Sequence, residues 1–373
     1  MRNTTIRRLW TASLPGTAAA FASVAIALGV AIISGGAGVA AAARNDAANV
    51  RIPPLPQRLS GTGLFAQEST SEIRREHLSF TPQYPLWSDG ATKRRWLSLP
   101  PGTAIDASNP NAWKFPRGTR FWKEFSMGQR VETRFIERLA DGTWRFSTYV
   151  WNEAGTDAEL APASGVRALK VASAPRGRYT IPGEADCRAC HAGAAAPILG
   201  VGALQLSPDR DPLAPHAEAM GAGDVDLRSL VARGLVRNLP ADLLREPPRI
   251  VAPSAETRAA LGYMHSNCGH CHNTVDSGAG VPVGLDVAHD VTGGKEGVAK
   301  NLQSMLDKPS RFKPGGHAAG VIVAPGNAED SMLAWRMRSR NPNTQMPPLG
   351  TDIVDTEGLA LIERWITLNL KKE

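Results

Sequence analysis

Alternation of hydrophobic and polar residues runs through the first half of the chain and predicts antiparallel strands. Residues 131–138 and 143–151 alternate in this way, and Asp141-Gly142 between them supplies the positive φ angles of a tight turn. Both faces of the second run carry aromatic side chains, so we expect this strand to be covered on both sides. The pattern predicts a β-hairpin within residues 65–182, a region that holds six of the nine Trp.

Helical spacing replaces this alternation after residue 182, between long loops rich in Gly, Pro and Ala. Ser254 is a predicted N-cap for a helix over residues 254–267. A second helix is predicted over residues 356–370, with Asp355 or Thr356 as its cap and with Leu359 and Ile362 at the start of one apolar stripe. The change in the pattern of hydrophobic residues therefore predicts a β-rich part followed by a mainly helical part.

Composition and length then narrow the class of protein. The chain has 373 residues, 21% of them charged and 42% hydrophobic, with four Cys. These fractions are those of a globular protein and exclude a disordered chain, a multi-span membrane protein and a disulfide scaffold. A length of this size predicts two or three domains of about 100 to 200 residues.

The N-terminus has the layout of a secretory signal. Three Arg precede an apolar run over residues 18–33, and small residues lead to a predicted cleavage site after Ala43. The alternative is an uncleaved anchor, which would hold the protein at a membrane. Removal of residues 1–43 takes three Arg and no acid, which lowers the formal net charge from +7 to +4. We therefore expect no nucleic-acid partner.

All four cysteines fall in two copies of one motif, Cys-x-x-Cys-His. The first copy is Cys187-Arg188-Ala189-Cys190-His191 and the second is Cys268-Gly269-His270-Cys271-His272. This is the attachment signature of c-type haem: two thiols one helical turn apart form thioethers, and the adjacent His ligates the iron. The motifs predict two covalently attached haem c groups, held by Cys187, Cys190, His191, Cys268, Cys271 and His272.

Zinc and dithiol chemistry explain the motifs less well. The paired cysteines of a zinc ribbon stand about 15 to 20 residues apart, whereas residues 191–267 separate the two pairs here. A redox dithiol or a pair of disulfides would not require a His directly after both pairs. The repeated His therefore favours haem.

The sixth iron ligands are less well determined. Met346, in the Pro-stiffened loop of residues 344–350, is the candidate for the second haem, with simple core packing as the alternative. For the first haem the candidates are Met220 or His216, and His265 is a third possibility. An open iron at the first haem also remains an alternative.

Aromatic and charged residues mix in the β-rich region, in the segments around Trp87 and Trp96. They could form a binding surface for a sugar or an aromatic group. The favoured interpretation is that the Trp residues are core and that Asp89 is a turn residue.

Several of these segments resemble a group of bacterial exported di-haem c-type cytochromes with an N-terminal β domain. The resemblance rests on residues 84–91 (YPLWSDGA), 121–125 (FWKEF), 132–135 (ETRF), 149–153 (YVWNE), 186–191 (DCRACH) and 261–272 (LGYMHSNCGHCH). It runs from about residue 60 to the C-terminus. The resemblance implies a periplasmic redox protein with two covalent haems, and it implies no particular substrate.

The expected fold is multi-domain α+β: an antiparallel β-sandwich-like domain followed by two small, mainly α cytochrome c-like modules. The expected division is a signal peptide at 1–43, a linker at 44–64, the β-rich domain at 65–182, and modules at 183–255 and 256–373. The expected function is electron transfer in the periplasm between redox partner proteins. The alternatives are a peroxidase- or oxygenase-type haem enzyme with one open iron, and a relay subunit that docks a dehydrogenase or a glycan through its β domain.

Overall fold

The computed structural model describes residues 52–67, 69–274, 284–314 and 320–370. The predicted signal peptide, residues 1–43, lies outside the described residues, and so does the first part of the predicted linker. Residues 50–373 form one compact unit. In the described part of the chain, no helix combines the length and hydropathy needed to cross a bilayer.

A six-stranded antiparallel sheet is the largest element, in the strand order β1-β2-β4-β5-β6-β7. Two further sheets have two strands each: β10 pairs with β3 in parallel, and β8 pairs with β9. The strands are β1 (Leu78–Ser79), β2 (Thr92–Ser98), β3 (Ile105–Asp106), β4 (Arg120–Met127), β5 (Gln129–Arg138), β6 (Trp144–Trp151), β7 (Ala158–Leu160), β8 (Val166–Lys170), β9 (Arg178–Ile181) and β10 (Val236–Arg237).

The hairpin predicted from Asp141-Gly142 is confirmed. β5 and β6 pair in antiparallel register, and Gly142 has a φ of 93°, which a residue with a Cβ adopts only under strain. Thr143 N donates to the Asp141 carboxylate at 2.8 Å and so fixes the turn. The local sequence was sufficient here because both the turn and the alternation lie within a short stretch.

Both faces of the large sheet are buried, each by different segments of the chain. On one face, the Trp96, Trp122 and Phe135 side chains pack against the 3₁₀ turn Leu59–Thr62 and its flanks. The opposite face carries two separate apolar clusters, one around Leu97 and Phe121 and one around Phe125. Strand β6 is therefore covered on both faces, as its aromatic residues predicted.

Short helices follow the sheet. They are α1 (Glu184–His191), α2 (Leu227–Ala232), α3 (Asp242–Arg245), α4 (Ala255–Asn267), α5 (Gly294–Gln303), α6 (Met332–Arg338) and α7 (Thr356–Arg364), which continues as a π-helical turn over Trp365–Asn369. The Ser254 hydroxyl caps α4 by accepting from Thr257 N, and the Asp355 carboxylate caps α7 by accepting from Gly358 N. Both predicted helices are confirmed together with their predicted caps.

The predicted fold class is wrong. The described residues form mainly a β-sheet domain with a few short helices, and they do not form two small helical cytochrome modules. Residues of the expected first module pack onto the sheet, because Leu206, Leu227 and Leu230 share one cluster with Leu97 and Phe121. Val236 even pairs with Ile105 in the two-stranded parallel sheet. The later helices instead share a separate apolar cluster, in which Leu261 and Met264 of α4 pack with Leu361 and Ile362 of α7 and which, among the described residues, contains none from the six-stranded sheet.

The sandwich expectation is also wrong in detail. Among the described residues, the six-stranded sheet has no partner sheet of similar size, since each other sheet has two strands. The β8–β9 hairpin supplies part of the missing layer through Val171, Tyr179 and Ile181, which pack with Phe125. Loops and helices from the C-terminal half cover the rest. The sheet also carries one of the chemistry-bearing segments, since the Phe146 ring of β6 lies 5.0 Å from the His191 ring.

Candidate functional site

The first Cys-x-x-Cys-His motif forms the last turns of α1. Gly183 N donates to the Asp186 carboxylate at 2.9 Å, which caps the start of the helix. Positions i, i+3 and i+4 of a helix lie on one face, so the Cys187 and Cys190 thiols and the His191 ring share a side. This is the geometry that two thioethers and one axial ligand require.

His191 is held in one tautomer. Its Nδ1–H donates to the carbonyl oxygen of Pro197 at 2.6 Å, which leaves Nε2 without a proton. Burial lowers the pKa of His191 to about 4, so the ring is neutral at pH 7. The Phe146 ring of β6 lies 5.0 Å from the imidazole and fixes its orientation. A neutral imidazole with a free Nε2 can ligate a metal ion.

The second motif directly follows α4. Cys271 N and His272 N donate to the Cys268 carbonyl oxygen at 3.1 and 2.9 Å, so the motif also forms one helical turn. His272 Nδ1 is buried and has no hydrogen-bond partner among the described residues. Burial lowers the pKa of His272, so this ring is neutral as well. Both motifs thus present two thiols and a neutral imidazole.

The structure brings the two motifs together. The Cys271 thiol lies 3.9 Å from the carbonyl oxygen of Ala189, and Asn273 Nδ2 donates to the Gly193 carbonyl at 2.9 Å. Hydrogen bonding with Cys271 raises the pKa of Cys190 to about 12 and lowers the pKa of Cys271. The second cysteine of one motif therefore contacts the second cysteine of the other, although the first motif belongs to α1 and the second to the end of α4.

All four cysteines are free thiols. Burial raises the pKa of Cys187 to about 11 and that of Cys268 to about 12. Among the described residues, no three His, Cys, Asp or Glu side chains converge on a point that could hold a metal ion. The arrangement gives a zinc site no support.

Met346 lines a cleft next to the second motif. The Met346 backbone N donates to the Arg336 carbonyl oxygen at 3.0 Å, and the Arg336 charge helps to lower the pKa of His272. The cleft is small, with a cavity volume of about 10 Å³. It is lined by Trp87, Tyr263, Asn267, Met337, Arg340, Met346, Pro347, Thr351 and Asp355. Met346 thus shares a cleft with Asn267, the residue before Cys268.

The segment around Trp87 is a scaffold for this cleft, which the sequence did not reveal. Trp87 N donates to Asn267 Oδ1 at 2.8 Å, and the Trp87 side chain forms part of the cleft wall. Asp89 accepts hydrogen bonds from the backbone of Asp352 and Ile353, just past the methionine loop. The favoured sequence interpretation is confirmed, because Trp87 and Trp96 are buried and Asp89 lies in a turn, but it did not indicate these contacts. The partners of Trp87 and Asp89 are more than 170 residues away, so no local pattern could indicate them.

The two candidates for the sixth ligand of the first haem lie elsewhere. His216 Nε2 bonds to the Asp355 carboxylate at 2.8 Å, and its Nδ1 lies 3.3 Å from the Glu357 carboxylate. Both ring nitrogens of His216 are therefore engaged at the start of α7. Met220 is 36% exposed, in a loop. The structure does not show either residue in contact with α1.

Three other histidines, His265, His270 and His289, lie in or close to the motifs. His270 hydrogen-bonds with Cys190, and the charges of His270 and His289 both affect the pKa of His265. His289 N donates to His265 Nδ1 at 3.0 Å, so His265 carries its proton on Nε2. The sequence predicts no role for His270, because this residue occupies a variable position of the motif. Its closeness to Cys190 depends on how the two motifs pack.

Comparison of the chain with protein-family models, with curated proteins and with solved structures finds no match. The residues themselves fit haem: each motif folds as a single helical turn, each His is neutral, and His191 presents a free Nε2. His272 has a buried Nδ1 that lacks a partner, and Met346 is available in the neighbouring cleft.

Proposed function

We propose that this chain is an exported di-haem c-type cytochrome that transfers electrons between redox partner proteins. One haem would be attached to Cys187 and Cys190 with His191 as ligand. The other would be attached to Cys268 and Cys271 with His272 as ligand. The observation that carries the proposal is the local geometry of the motifs, in which two thiols and a neutral imidazole share one face of a helical turn.

The residues around the motifs have distinct roles in this proposal. When bound, the two haems would supply one-electron redox centres. The Pro197 carbonyl holds His191 in the tautomer with a free Nε2, and Phe146 limits rotation of the ring. Arg336 bonds the Met346 backbone and so positions the thioether of that loop. Burial of His191 and His272 keeps both rings neutral at pH 7.

Contact between the motifs supports the use of both haems together. The Cys271 thiol touches the backbone of α1, and Cys190 hydrogen-bonds with Cys271. The two attachment points are therefore adjacent, and an electron entering at one centre would have a short path to the other. A single compact unit with two close centres suits a relay between an electron donor and an electron acceptor.

A second candidate function is a haem enzyme with one open iron. It is favoured by the placement of His216, whose two ring nitrogens face carboxylates, and by the exposure of Met220. Binding of carbon monoxide to the reduced protein distinguishes the two functions, because CO enters an open position readily and a six-coordinate iron slowly or not at all.

Expression of the full chain together with a c-haem maturation system tests the proposal. The denatured protein should retain two covalent haems per chain by the pyridine haemochrome assay. The double variants C187A/C190A and C268A/C271A should each retain one haem. A soluble wild-type protein that carries no covalent haem under these conditions, while a known c-type cytochrome matures normally in the same cells, would refute the proposal.

A further inference from the structure

Four polar side chains form a row across the large sheet. Arg95 pairs in register with Lys123, Lys123 with Arg134, and Arg134 with Thr148, so the four residues lie side by side on β2, β4, β5 and β6. We call Arg95, Lys123, Arg134 and Thr148 the cationic row. It separates the two apolar clusters of this sheet face, one around Phe121 and one around Phe125.

The cationic row faces the first motif. Phe146 lies on the same face of β6 as Thr148, and its ring is 5.0 Å from the His191 ring. The charges of Lys123 and Arg134 both help to lower the pKa of His191. The Arg134 charge also acts on Cys187. Arg134 is therefore near Cys187. Lys123 and then Arg95 follow it along the row, at increasing distance from Arg134.

Nearby acids pair with both arginines of the row, but two polar atoms of the row remain without a partner in the described part of the chain. Arg134 pairs with Glu132 at 2.6 Å, and Arg95 pairs with Glu218 at 2.6 Å through Nη1. Arg95 Nη2 and Thr148 Oγ1 are buried and lack a hydrogen-bond partner among the described residues. For Lys123, the structure shows one packing partner, the Phe125 ring, at 4.9 Å from Nζ.

Such a row costs free energy when it has no ligand. Like charges directly opposite one another on neighbouring strands are destabilising. Burial, together with Arg95, Lys93 and Arg134, holds the pKa of Lys123 well below its usual range. A bound anion would offset both costs, since a carboxylate can accept from Lys123 Nζ and from the free Arg95 Nη2 together. The side chains are placed for a ligand with carboxylate groups.

The position of the row indicates which carboxylates these are. Neighbouring strands are about 4.8 Å apart, so Arg95 lies two strand spacings, about 10 Å, from Arg134. A c-type haem carries its thioether bonds on one edge and its two propionates on the opposite side. With the thioether edge at Cys187, beside Arg134, the propionates would lie toward the Lys123 and Arg95 end of the row.

We propose that Lys123 and Arg95 bind the propionate carboxylates of the haem attached to Cys187 and Cys190. This inference rests on the proposed function, because it requires that haem. It assigns to the β-sheet a direct part in holding the cofactor. The sheet is then the wall of the first haem site, and the cationic row tunes the reduction potential of that haem.

The test is a redox titration of the two-haem protein in K123Q and R95Q variants. Loss of a positive charge beside the propionates disfavours reduction, so K123Q should lower the reduction equilibrium constant of one haem by about tenfold, or 59 mV for one electron. The other transition should not move. K123R keeps the charge and should restore the wild-type potential. K114Q is the matched control, because Lys114 is exposed and lies outside the row.

Three outcomes separate the possibilities. A K123Q protein that carries two haems with both potentials unchanged would overturn the inference while leaving the proposed function intact. A wild-type potential that responds to added succinate, with the response lost in K123Q, would assign the row to a soluble carboxylate and also overturn it. Absence of covalent haem from the wild-type chain would refute the proposed function itself, which the pyridine haemochrome assay reads separately.

Discussion

The Asp89 carboxylate accepts the backbone N–H of Asp352 at 2.9 Å, across 263 positions of the chain. The Ile353 N–H also donates to Asp89, at 3.1 Å. Asp89 has a φ of 50°, so the turn that presents its side chain is itself strained. This contact ties the start of the sheet domain to the end of the methionine loop, and it makes the conformation of that loop depend on the N-terminal half of the protein.

Replacement of Asp89 by Ala should loosen the methionine loop. Hydrogen bonds to a charged acceptor contribute about 1.5 to 3 kcal/mol, so we expect D89A to lower the free energy of unfolding by about 2 kcal/mol. D89N retains one carbonyl oxygen and should lose less. Urea denaturation of both variants measures the difference. Equal stability of D89A and wild type would show that the contact is not energetically important.

Replacement of Met346 by Ala should open the second haem to carbon monoxide. The proposed thioether ligand would be lost, and the long-wavelength absorption band of a methionine-ligated ferric haem would disappear with it. M337A is the control, since Met337 lines the same cleft and is buried. M337A should reduce stability by about 2 to 5 kcal/mol and leave the ligand band in place. Loss of the band in M337A but not in M346A would identify the wrong methionine as the ligand.

Gly262 allows α4 to pack closely on Tyr84. A methyl group at residue 262 would overlap the Tyr84 ring, whose hydroxyl is fixed by a 2.9 Å hydrogen bond to Asp211. We expect G262A to destabilise the protein by about 1 to 3 kcal/mol through overpacking. Gly202 has open space around it, so G202A is the control and should have little effect. Thermal and urea unfolding compare the two, and similar stabilities would contradict the close packing.

His289 should make the protein sensitive to mild acid. The side chain is 5% exposed, and burial lowers its pKa from 6.5 to about 4. Between pH 6.5 and 4 the unfolded chain binds a proton at this position that the folded chain does not, so stability falls as the pH decreases. Each pKa unit corresponds to about 1.4 kcal/mol, which limits the loss to about 3.5 kcal/mol.

The H289Q variant removes this contribution. Its free energy of unfolding should depend less on pH between 6.5 and 4 than that of the wild type, and the two pH profiles should run parallel above pH 7. Urea denaturation at a series of pH values gives both profiles. His265, whose pKa is lowered to about 3 by burial, remains in the variant and accounts for part of the residual slope. Identical slopes for the two proteins would contradict a neutral, buried His289.

Local features of the structure were predictable from the sequence. Asp141-Gly142 predicted the β5–β6 hairpin, and Ser254 and Asp355 predicted two helix starts, because turns and caps depend on residues within one or two turns of each other. The two modules were not predictable in this way. Helical spacing after residue 182 gave the right element type but not the surface against which those elements are buried.

The candidate site likewise has some features that depend on local sequence and others that depend on long-range packing. The sequence by itself indicated the side chains that we propose as haem ligands, since Cys187, Cys190 and His191 have the spacing of one helical turn. The tertiary structure alone decided what surrounds them: the Phe146 contact, the cationic row and the support of the methionine loop by Asp89. Such contacts arise where the apolar faces of distant segments are buried together, and that depends on the summed packing of the whole chain rather than on any local pattern.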